Sequence, residues 1–157
     1  MMREVVVVVG SGLMGSGIAS RAALAGNPVI LVDTQIECAE KGKERAICCI
    51  DELLENELCT ADEAARAKEN IQISANMEKS LESARMVIEA IYENLEAKQV
   101  LFNQMDALLP SEVPVLSNTS GLRITDIAAR TKYPERTLTT HFWYPGHLVP
   151  LVEVVVG

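Results

Sequence analysis

An excess of positive charge is missing from this sequence. Its 157 residues contain 14 Lys and Arg against 22 Asp and Glu, which gives a formal net charge of −8. Nucleic-acid binding depends largely on cationic side chains that neutralise phosphates, so this balance excludes a nucleic acid as the expected partner. The length suits one ordinary domain, and a hydrophobic fraction of 48% excludes a disordered chain.

The cysteine pattern lacks what a disulfide framework or a zinc site requires. The chain has four cysteines, and all lie in one charged, helix-like region: Cys38, Cys48, Cys49 and Cys59. None forms a C-x-x-C pair, and both histidines are distant in sequence. We therefore expect reduced thiols, no metal site and a cytoplasmic location.

A hydrophobic run long enough to cross a membrane is also missing. The uncharged stretch over residues 5–20 is too short and too rich in Gly and Ser to span a bilayer or to act as an export signal. The chain contains no internal repeat, low-complexity tract or obvious linker. We therefore expect no membrane association and a single domain over residues 1–157.

Short apolar runs alternate with helical patterns along the chain. Residues 5–9 are five consecutive valines, which predicts a strand buried on both faces. Further strands are predicted at residues 29–32, 86–90, 113–116 and 138–141. Helices are predicted at residues 18–24, 36 to about 58, from Thr60 onward with Glu63 completing a capping box, 95–109 and 124–129. This alternation predicts an α/β fold: a mostly parallel sheet with helices on both faces and a long helical hairpin inserted between strands.

A glycine-rich turn separates the first strand from the first helix. It reads Gly10, Ser11, Gly12, Leu13, Met14, Gly15. The first glycine permits the tight turn, the second lets a pyrophosphate approach the backbone, and the third lets helix and strand pack closely. The helix amino terminus supplies free N–H groups to a phosphate. The pattern predicts a dinucleotide site in a Rossmann-type, doubly wound fold.

Asp33 ends the second predicted strand, at the spacing expected for a residue that accepts hydrogen bonds from the adenosine ribose. The same carboxylate would repel a 2′-phosphate, and neither of the next two residues is an arginine. We therefore predict that the cofactor is NAD and not NADP.

Five motifs in order resemble the amino-terminal NAD-binding domain of the 3-hydroxyacyl-CoA dehydrogenases. They read GSGLMGSGIA, LVDT, VIEAIYENLEAK, VLSNTSGLRIT and THFWYPGHLVPLVEVV, and the resemblance extends from Val5 to Gly157. The resemblance implies an enzyme of fatty-acid β-oxidation type that oxidises an L-3-hydroxyacyl-CoA to the 3-ketoacyl-CoA and reduces NAD. It also implies an all-helical carboxyl-terminal domain, absent from this chain, that closes the cleft and forms a homodimer.

The resemblance also implies a role for individual residues. His141 matches the catalytic histidine, Glu153 the carboxylate that orients it, and Ser120 the serine that bonds the substrate oxygen. On the cofactor side, the matching residues are Glu93, Lys98 and Asn118.

The chemistry of the reaction is consistent with these roles, because alcohol oxidation needs a base and histidine titrates near neutral pH. Glu153 lies among valines, so we expect it to be buried and paired. We expect His147 to be a surface or packing residue.

Two departures from the family pattern keep other functions open. Tyr144 stands where the family usually has Asn, and the long helix is acidic where coenzyme A binders tend to place Ser and Lys. The PGHLVPLVEVV ending is also similar to relatives that oxidise free hydroxy acids of the gulonate or carnitine type, and the acidic helix favours them slightly. A dehydrogenase of a free hydroxy acid is therefore one alternative. A non-catalytic NAD-binding or structural protein is another, although it would not need Ser120, His141 and Glu153 together.

Overall fold

The computed structural model describes residues 5–157. Seven strands form one sheet: β1 Val5–Val9, β2 Val29–Val32, β3 Ile71–Ser74, β4 Ala84–Glu89, β5 Val115–Ser117, β6 Thr137–Phe142 and β7 Val152–Val156. The α-helices are α1 Leu13–Leu24, α2 Ile36–Glu55, α3 Ala61–Asn70, α4 Met77–Leu81, α5 Leu95–Leu108 and α6 Ile124–Ile127. Two short 3₁₀ helices cover Ala128–Arg130 and Pro134–Arg136. Within residues 5–157 no helix is both long enough and apolar enough to cross a membrane.

The strands are arranged in the order β3-β2-β1-β4-β5-β6-β7. Strands β1 to β6 are parallel, and β7 pairs antiparallel with β6 at the edge of the sheet. The chain builds outward from β1 to β3 and then returns to place β4 on the other side of β1. This reversal is the switch point at which open parallel sheets bind ligands beyond their carboxyl ends.

The core lies on both faces of the sheet, because successive side chains of a strand point to opposite sides. Val6 and Val8 belong to one buried cluster, which includes apolar side chains of α1, α2 and α3. Val7 and Val9 belong to a second cluster with side chains of α4, α5 and α6. The predicted mostly parallel sheet with helices on both faces is therefore confirmed.

Several predicted element boundaries were wrong. Helix α1 begins at Leu13, directly after the glycine turn, and not at residue 18. The small residues 15–17 were not recognised as helical, yet they are buried against the sheet. Strand β3 was not predicted, because its four residues carry only two strongly apolar side chains.

The predicted helical hairpin is formed by α2 and α3. Its capping box is present, since the Thr60 hydroxyl accepts from the Glu63 N–H and the Glu63 carboxylate accepts from the Thr60 N–H. Helix α2 ends at Glu55, earlier than predicted, and Leu58 beyond it is 60% exposed. The apolar face of α2 is provided instead by side chains such as Ile50 and Leu53, which are buried.

Candidate active site

Two of the three glycines of the turn occupy positions where a side chain would collide with the backbone, and the third faces open space. Gly10 has φ +102°, and an added Cβ would lie 2.6 Å from the Ala90 carbonyl oxygen. A Cβ at Gly15 would lie 1.8 Å from the Gly10 carbonyl oxygen. Gly12 has no other atom within 4 Å of its added Cβ, so its backbone faces open space. The geometry agrees with the predicted division of roles: a tight turn, an open approach and close helix packing.

The amino terminus of α1 offers free hydrogen-bond donors beside this turn. The Ser16 N–H donates to the Gly12 carbonyl at 2.9 Å. Gly12 is the N-cap residue of α1, and it has no side chain that could cap the helix. The first N–H groups of a helix have no intrahelical acceptor, and they carry the positive end of the helix dipole. Leu13 is 66% exposed here. The arrangement suits a phosphate group.

Asp33 lies just beyond β2 and contacts the glycine turn. Its Oδ2 accepts from the Ser11 N–H at 3.0 Å and from the Ser11 hydroxyl at 2.6 Å, and its Oδ1 accepts from the Thr34 N–H at 2.8 Å. Partial burial alone would raise the pKa of Asp33, but the hydrogen bonds from Ser11 and Thr34 lower it below its ordinary value. The carboxylate is therefore ionised at neutral pH.

A cavity of about 850 Å³ opens between these groups and helix α5. It lies over the carboxyl ends of β1, β2 and β4, at the switch point of the sheet. Its lining includes Gly10, Ser11, Gly12, Asp33, Ile91, Tyr92, Asn94, Ala97 and Leu101. Its size is within the usual range of cofactor sites, and its mixture of backbone donors, two acids (Asp33 and Glu96) and apolar side chains fits a dinucleotide.

Lys98 and Glu93, two predicted cofactor residues, do not line this cavity. Lys98 is 1% exposed, and its Nζ lies 2.6 Å from the Glu89 Oε1 and 3.3 Å from the Glu93 Oε2. Glu89 is itself fully buried, and it accepts from the Ser117 hydroxyl at 2.6 Å and the Ile91 N–H at 2.7 Å. A buried charge requires such partners. Because Glu89, Lys98 and Ser117 lie on different elements, their contacts join β4, α5 and β5. Sequence reasoning missed Glu89, although an acid in a predicted apolar strand was a usable signal.

Glu93 holds the turn that follows β5. One of its oxygens accepts from the Thr119 hydroxyl at 2.5 Å and from the N–H groups of Ser120 and Gly121 at 3.2 Å each. Burial opposes ionisation of Glu93, but the Thr119 bond, the charge of Lys98 and the Gly121 N–H lower its pKa below the ordinary value. The predicted site residue Ser120 is thus positioned by an ionised carboxylate.

His141 and Glu153 are directly opposite each other on β6 and β7. The His141 Nδ1 lies 2.7 Å from a Glu153 carboxylate oxygen. A carboxylate can only accept, so this contact places a proton on Nδ1, and in the neutral ring Nε2 is then the acceptor. The Asn118 side-chain oxygen accepts from the Phe142 N–H at 2.8 Å, which connects the end of β5 to the histidine strand. The predicted pairing is therefore present in the structure.

The expected burial of Glu153 was wrong. Its side chain is 51% exposed, against 21% for His141. All five residues of β7 are exposed, because the strand lies at the sheet edge with β6 as its one neighbour among the described strands. An apolar sequence therefore did not imply a buried carboxylate here.

The loop after β6 contacts the long helix. The His147 Nε2 lies 2.8 Å from a Glu52 oxygen, and the histidine side chain is 10% exposed. His147 is thus a packing residue, as expected, and it also pairs with one acid of α2. Tyr144, which stands where the family usually has Asn, is 68% exposed, so its ring is not part of the core.

The family model of the 3-hydroxyacyl-CoA dehydrogenase NAD-binding domain matches residues 5–157. The chain belongs to this family. NAD is the cofactor of the matched domain, as the glycine turn and Asp33 predicted. The family assignment is consistent with the cavity and with the paired histidine and carboxylate.

Relatives and solved structures of this family agree with the assignment. A probable 3-hydroxybutyryl-CoA dehydrogenase of Bacillus subtilis is 41% identical over 97% of this chain and 53% of its own length. A 3-hydroxyadipyl-CoA dehydrogenase of Escherichia coli is 36% identical over 98% of this chain and 32% of its own length. The crystal structure of 3-hydroxybutyryl-CoA dehydrogenase from Escherichia coli K12 superposes with a TM-score of 0.90 at 34% identity, covering 98% of this chain and 32% of that one. The chain thus spans about half or less of these proteins.

Proposed function

We propose that this chain is the catalytic half of an NAD-dependent dehydrogenase that oxidises an L-3-hydroxyacyl-CoA, such as 3-hydroxybutyryl-CoA, to the 3-ketoacyl-CoA. The observation that carries the proposal is the 2.7 Å contact between His141 and Glu153 on neighbouring strands. The contact lies near the carboxyl end of β6, and the glycine turn and Asp33 follow the carboxyl ends of β1 and β2. Parallel strands bring these ends to one edge of the sheet.

In this proposal His141 is the general base. Its Nδ1–H donates to Glu153, so its Nε2 accepts the proton of the substrate hydroxyl. Glu153 orients the ring and stabilises the imidazolium that forms. Ser120, held by Glu93 through its backbone N–H, donates its hydroxyl to the substrate oxygen. The chain thus supplies a base, an orienting carboxylate and a hydrogen-bond donor.

The glycine turn and Asp33 hold the cofactor in this proposal. The Gly12 backbone and the first turn of α1 receive the pyrophosphate, and Asp33 receives the adenosine ribose. NAD supplies the hydride acceptor when it is bound. The Glu89–Lys98–Glu93 network keeps the turn of Ser120 in position beside the cofactor site, and Asn118 does the same for the histidine strand. Direct contact of Glu93, Lys98 and Asn118 with the cofactor remains a prediction.

The names of the relatives support an acyl-CoA substrate, since they are 3-hydroxybutyryl-CoA and 3-hydroxyadipyl-CoA dehydrogenases. The acidic face of α2 was one reason to consider a free hydroxy acid. Two of those acids are already paired, Asp51 with Lys68 at 2.5 Å and Glu52 with His147 at 2.8 Å. The positive charge of Lys68 reduces the repulsion between Asp51 and a phosphorylated carrier, which weakens the case for the free acid.

A helical domain of the family type would complete the cleft and support a homodimer in the cytoplasm. The exposed apolar side chains of β7, among them Val154 and Val156, are consistent with a surface that a further domain covers. A general base needs its substrate held at hydrogen-bond distance, and an open cleft provides no such hold. We therefore expect little or no turnover from the 157-residue chain by itself.

A substrate panel tests the proposal. The intact protein that carries this chain is supplied with NAD and either 3-hydroxybutyryl-CoA or free 3-hydroxybutyrate, and NADH absorbance is followed. Turnover with the CoA ester alone supports the proposal. Turnover with the free acid alone would establish the hydroxy-acid alternative, and NADH binding without turnover on either substrate would establish a non-catalytic protein.

A further inference from the structure

Ser11, the second residue of the glycine turn, is buried at 2% exposure and bonds to Asp33 twice. Its backbone N–H and its hydroxyl both donate to the Asp33 Oδ2, at 3.0 Å and 2.6 Å. The Cys38 carbonyl lies 2.9 Å from the same hydroxyl, so one hydrogen faces two acceptors. The ionised carboxylate is the stronger acceptor.

These bonds determine which oxygen of Asp33 is available to a ligand. Each carboxylate oxygen can accept about two hydrogen bonds. Ser11 fills both positions on Oδ2, and Thr34 fills one on Oδ1 at 2.8 Å, with its hydroxyl at a longer 3.4 Å. The acceptor position most easily given to a ligand is therefore on Oδ1, because the bond from the Thr34 hydroxyl is long, and Asp33 lines the cavity.

Helix α2 keeps Ser11 itself in place. The Arg45 guanidinium donates to the Ser11 carbonyl at 2.6 Å, so its charge is directed to the turn backbone. A Cβ at Gly42 would lie 2.5 Å from the Ser11 Cβ, which shows how closely the helix packs on this side chain. Arg45 does not line the cavity and is not placed to receive a 2′-phosphate.

We propose that Ser11 is a positioning residue for cofactor selectivity: it holds the Asp33 carboxylate so that Oδ1 accepts a ribose 2′-hydroxyl and opposes a 2′-phosphate. This inference rests on the proposed NAD site and assigns Ser11 a role beyond the backbone approach of the pyrophosphate. Without the Ser11 hydroxyl, the carboxylate loses its shortest bond and can rotate. Binding of NADH is then weakened while binding of NADPH is little changed.

A double-mutant cycle in the intact protein that carries this chain tests the inference. Dissociation constants of NADH and NADPH are measured by fluorescence titration for the wild type, Ser11→Ala, Asp33→Asn and the double variant. We expect Ser11→Ala to weaken NADH binding about tenfold, the effect of losing one bond to a charged group. In the Asp33→Asn background the same change should alter NADH affinity by less than about twofold, because coupled residues are not additive.

Ser16→Ala is the matched control. The Ser16 hydroxyl is also buried and donates to the Ser11 carbonyl at 3.1 Å, but Ser16 makes no bond to Asp33. We expect this variant to leave the ratio of NADH to NADPH affinity within about twofold of the wild type. If Ser11→Ala does not fold, Ser11→Gly replaces it. Both variants lose the hydroxyl and retain the backbone N–H.

The outcomes separate this inference from the proposed function. If the wild type binds no NADH, the proposed cofactor site is wrong and the inference is overturned with it. If the wild type binds NADH but the two substitutions are additive, or Ser16→Ala changes the ratio equally, only the role of Ser11 is overturned. A tenfold loss that disappears in the Asp33→Asn background supports it.

Discussion

Two valine-rich strands of five residues have opposite surroundings in this molecule. Strand β1, VVVVV, lies between β2 and β4 and is almost completely buried. Strand β7, VEVVV, pairs with β6 at the sheet edge, and all five of its residues are exposed. Similar composition therefore led to different burial. The number of neighbouring elements, not the local sequence, decides whether an apolar strand is core.

The difference extends to the functional groups that each strand carries. The turn after β1 is held by Asp33 and by α2, so the cofactor side of the site is fixed by contacts within this chain. The His141–Glu153 pair on β6 and β7 has one half-exposed carboxylate, so the substrate side is open to water. We therefore expect substitutions near β1 to affect folding and cofactor binding, and substitutions on β7 to affect chemistry.

The largest expected effect is on turnover. In the intact protein, His141→Gln should lower kcat by about 10² to 10⁴, the range for loss of a general base, and leave NADH affinity nearly unchanged. Glu153→Gln should act in the same direction, because it removes the charge that stabilises the imidazolium. Steady-state kinetics and NADH titration measure both effects. Unchanged turnover in either variant would exclude the pair as the catalytic dyad.

The second effect concerns stability beside β1. Lys98→Met leaves Glu89 fully buried without its cation, and we expect a loss of about 3 to 5 kcal/mol in the free energy of unfolding. Urea denaturation measures it. The control is Lys68→Met, since Lys68 and Asp51 are 33% and 45% exposed and their pair contributes less than about 1 kcal/mol. Equal losses in both variants would show that burial of the pair is unimportant.

The third prediction compares the two strands directly. Val7→Ala removes a side chain that is fully buried, and we expect a loss of about 2 to 3 kcal/mol from lost burial and the cavity it leaves. Val154→Ala, at 66% exposure, should change stability by less than about 0.5 kcal/mol. Both are measured by urea denaturation of the same chain. A large loss at Val154 would mean that β7 is covered in solution, for example by a second copy.

The smallest expected effect is on pH dependence. The pKa of Glu93 in the folded chain is below its ordinary value of 4.5, so its contribution to stability is complete above that pH and is lost as the pH falls. Glu93→Gln should therefore reduce the loss of stability on acidification. Denaturation at several pH values below 7 measures the slope, with exposed Glu135→Gln as the control. An unchanged slope would contradict the proposed hold of Glu93 on the Ser120 turn.

Much of the fold could be predicted because its signals are local. The valine run, the glycine turn and the Thr60–Glu63 capping box each depend on neighbouring residues, and each is present. Strand β3 was missed because it is only four residues long and has two apolar side chains, too few to define a pattern. The network around Glu89 was missed because its partners, Lys98 and Ser117, are 9 and 28 residues away and meet only after the sheet forms.

The sequence by itself predicted the dinucleotide fold from the apolar runs and the glycine turn, and NAD from Asp33, because these signals depend on residue type at defined spacing. The roles of His141 and Glu153 came from the resemblance to the family and stay predictions. Tertiary structure alone decided the exposure of Glu153, the burial of Lys98 between two acids, and the two bonds from Ser11 to Asp33. The physical reason is that burial and hydrogen-bond geometry depend on which distant segments become neighbours. No local pattern contains that information, and here it is the order of strands in the sheet that supplies it.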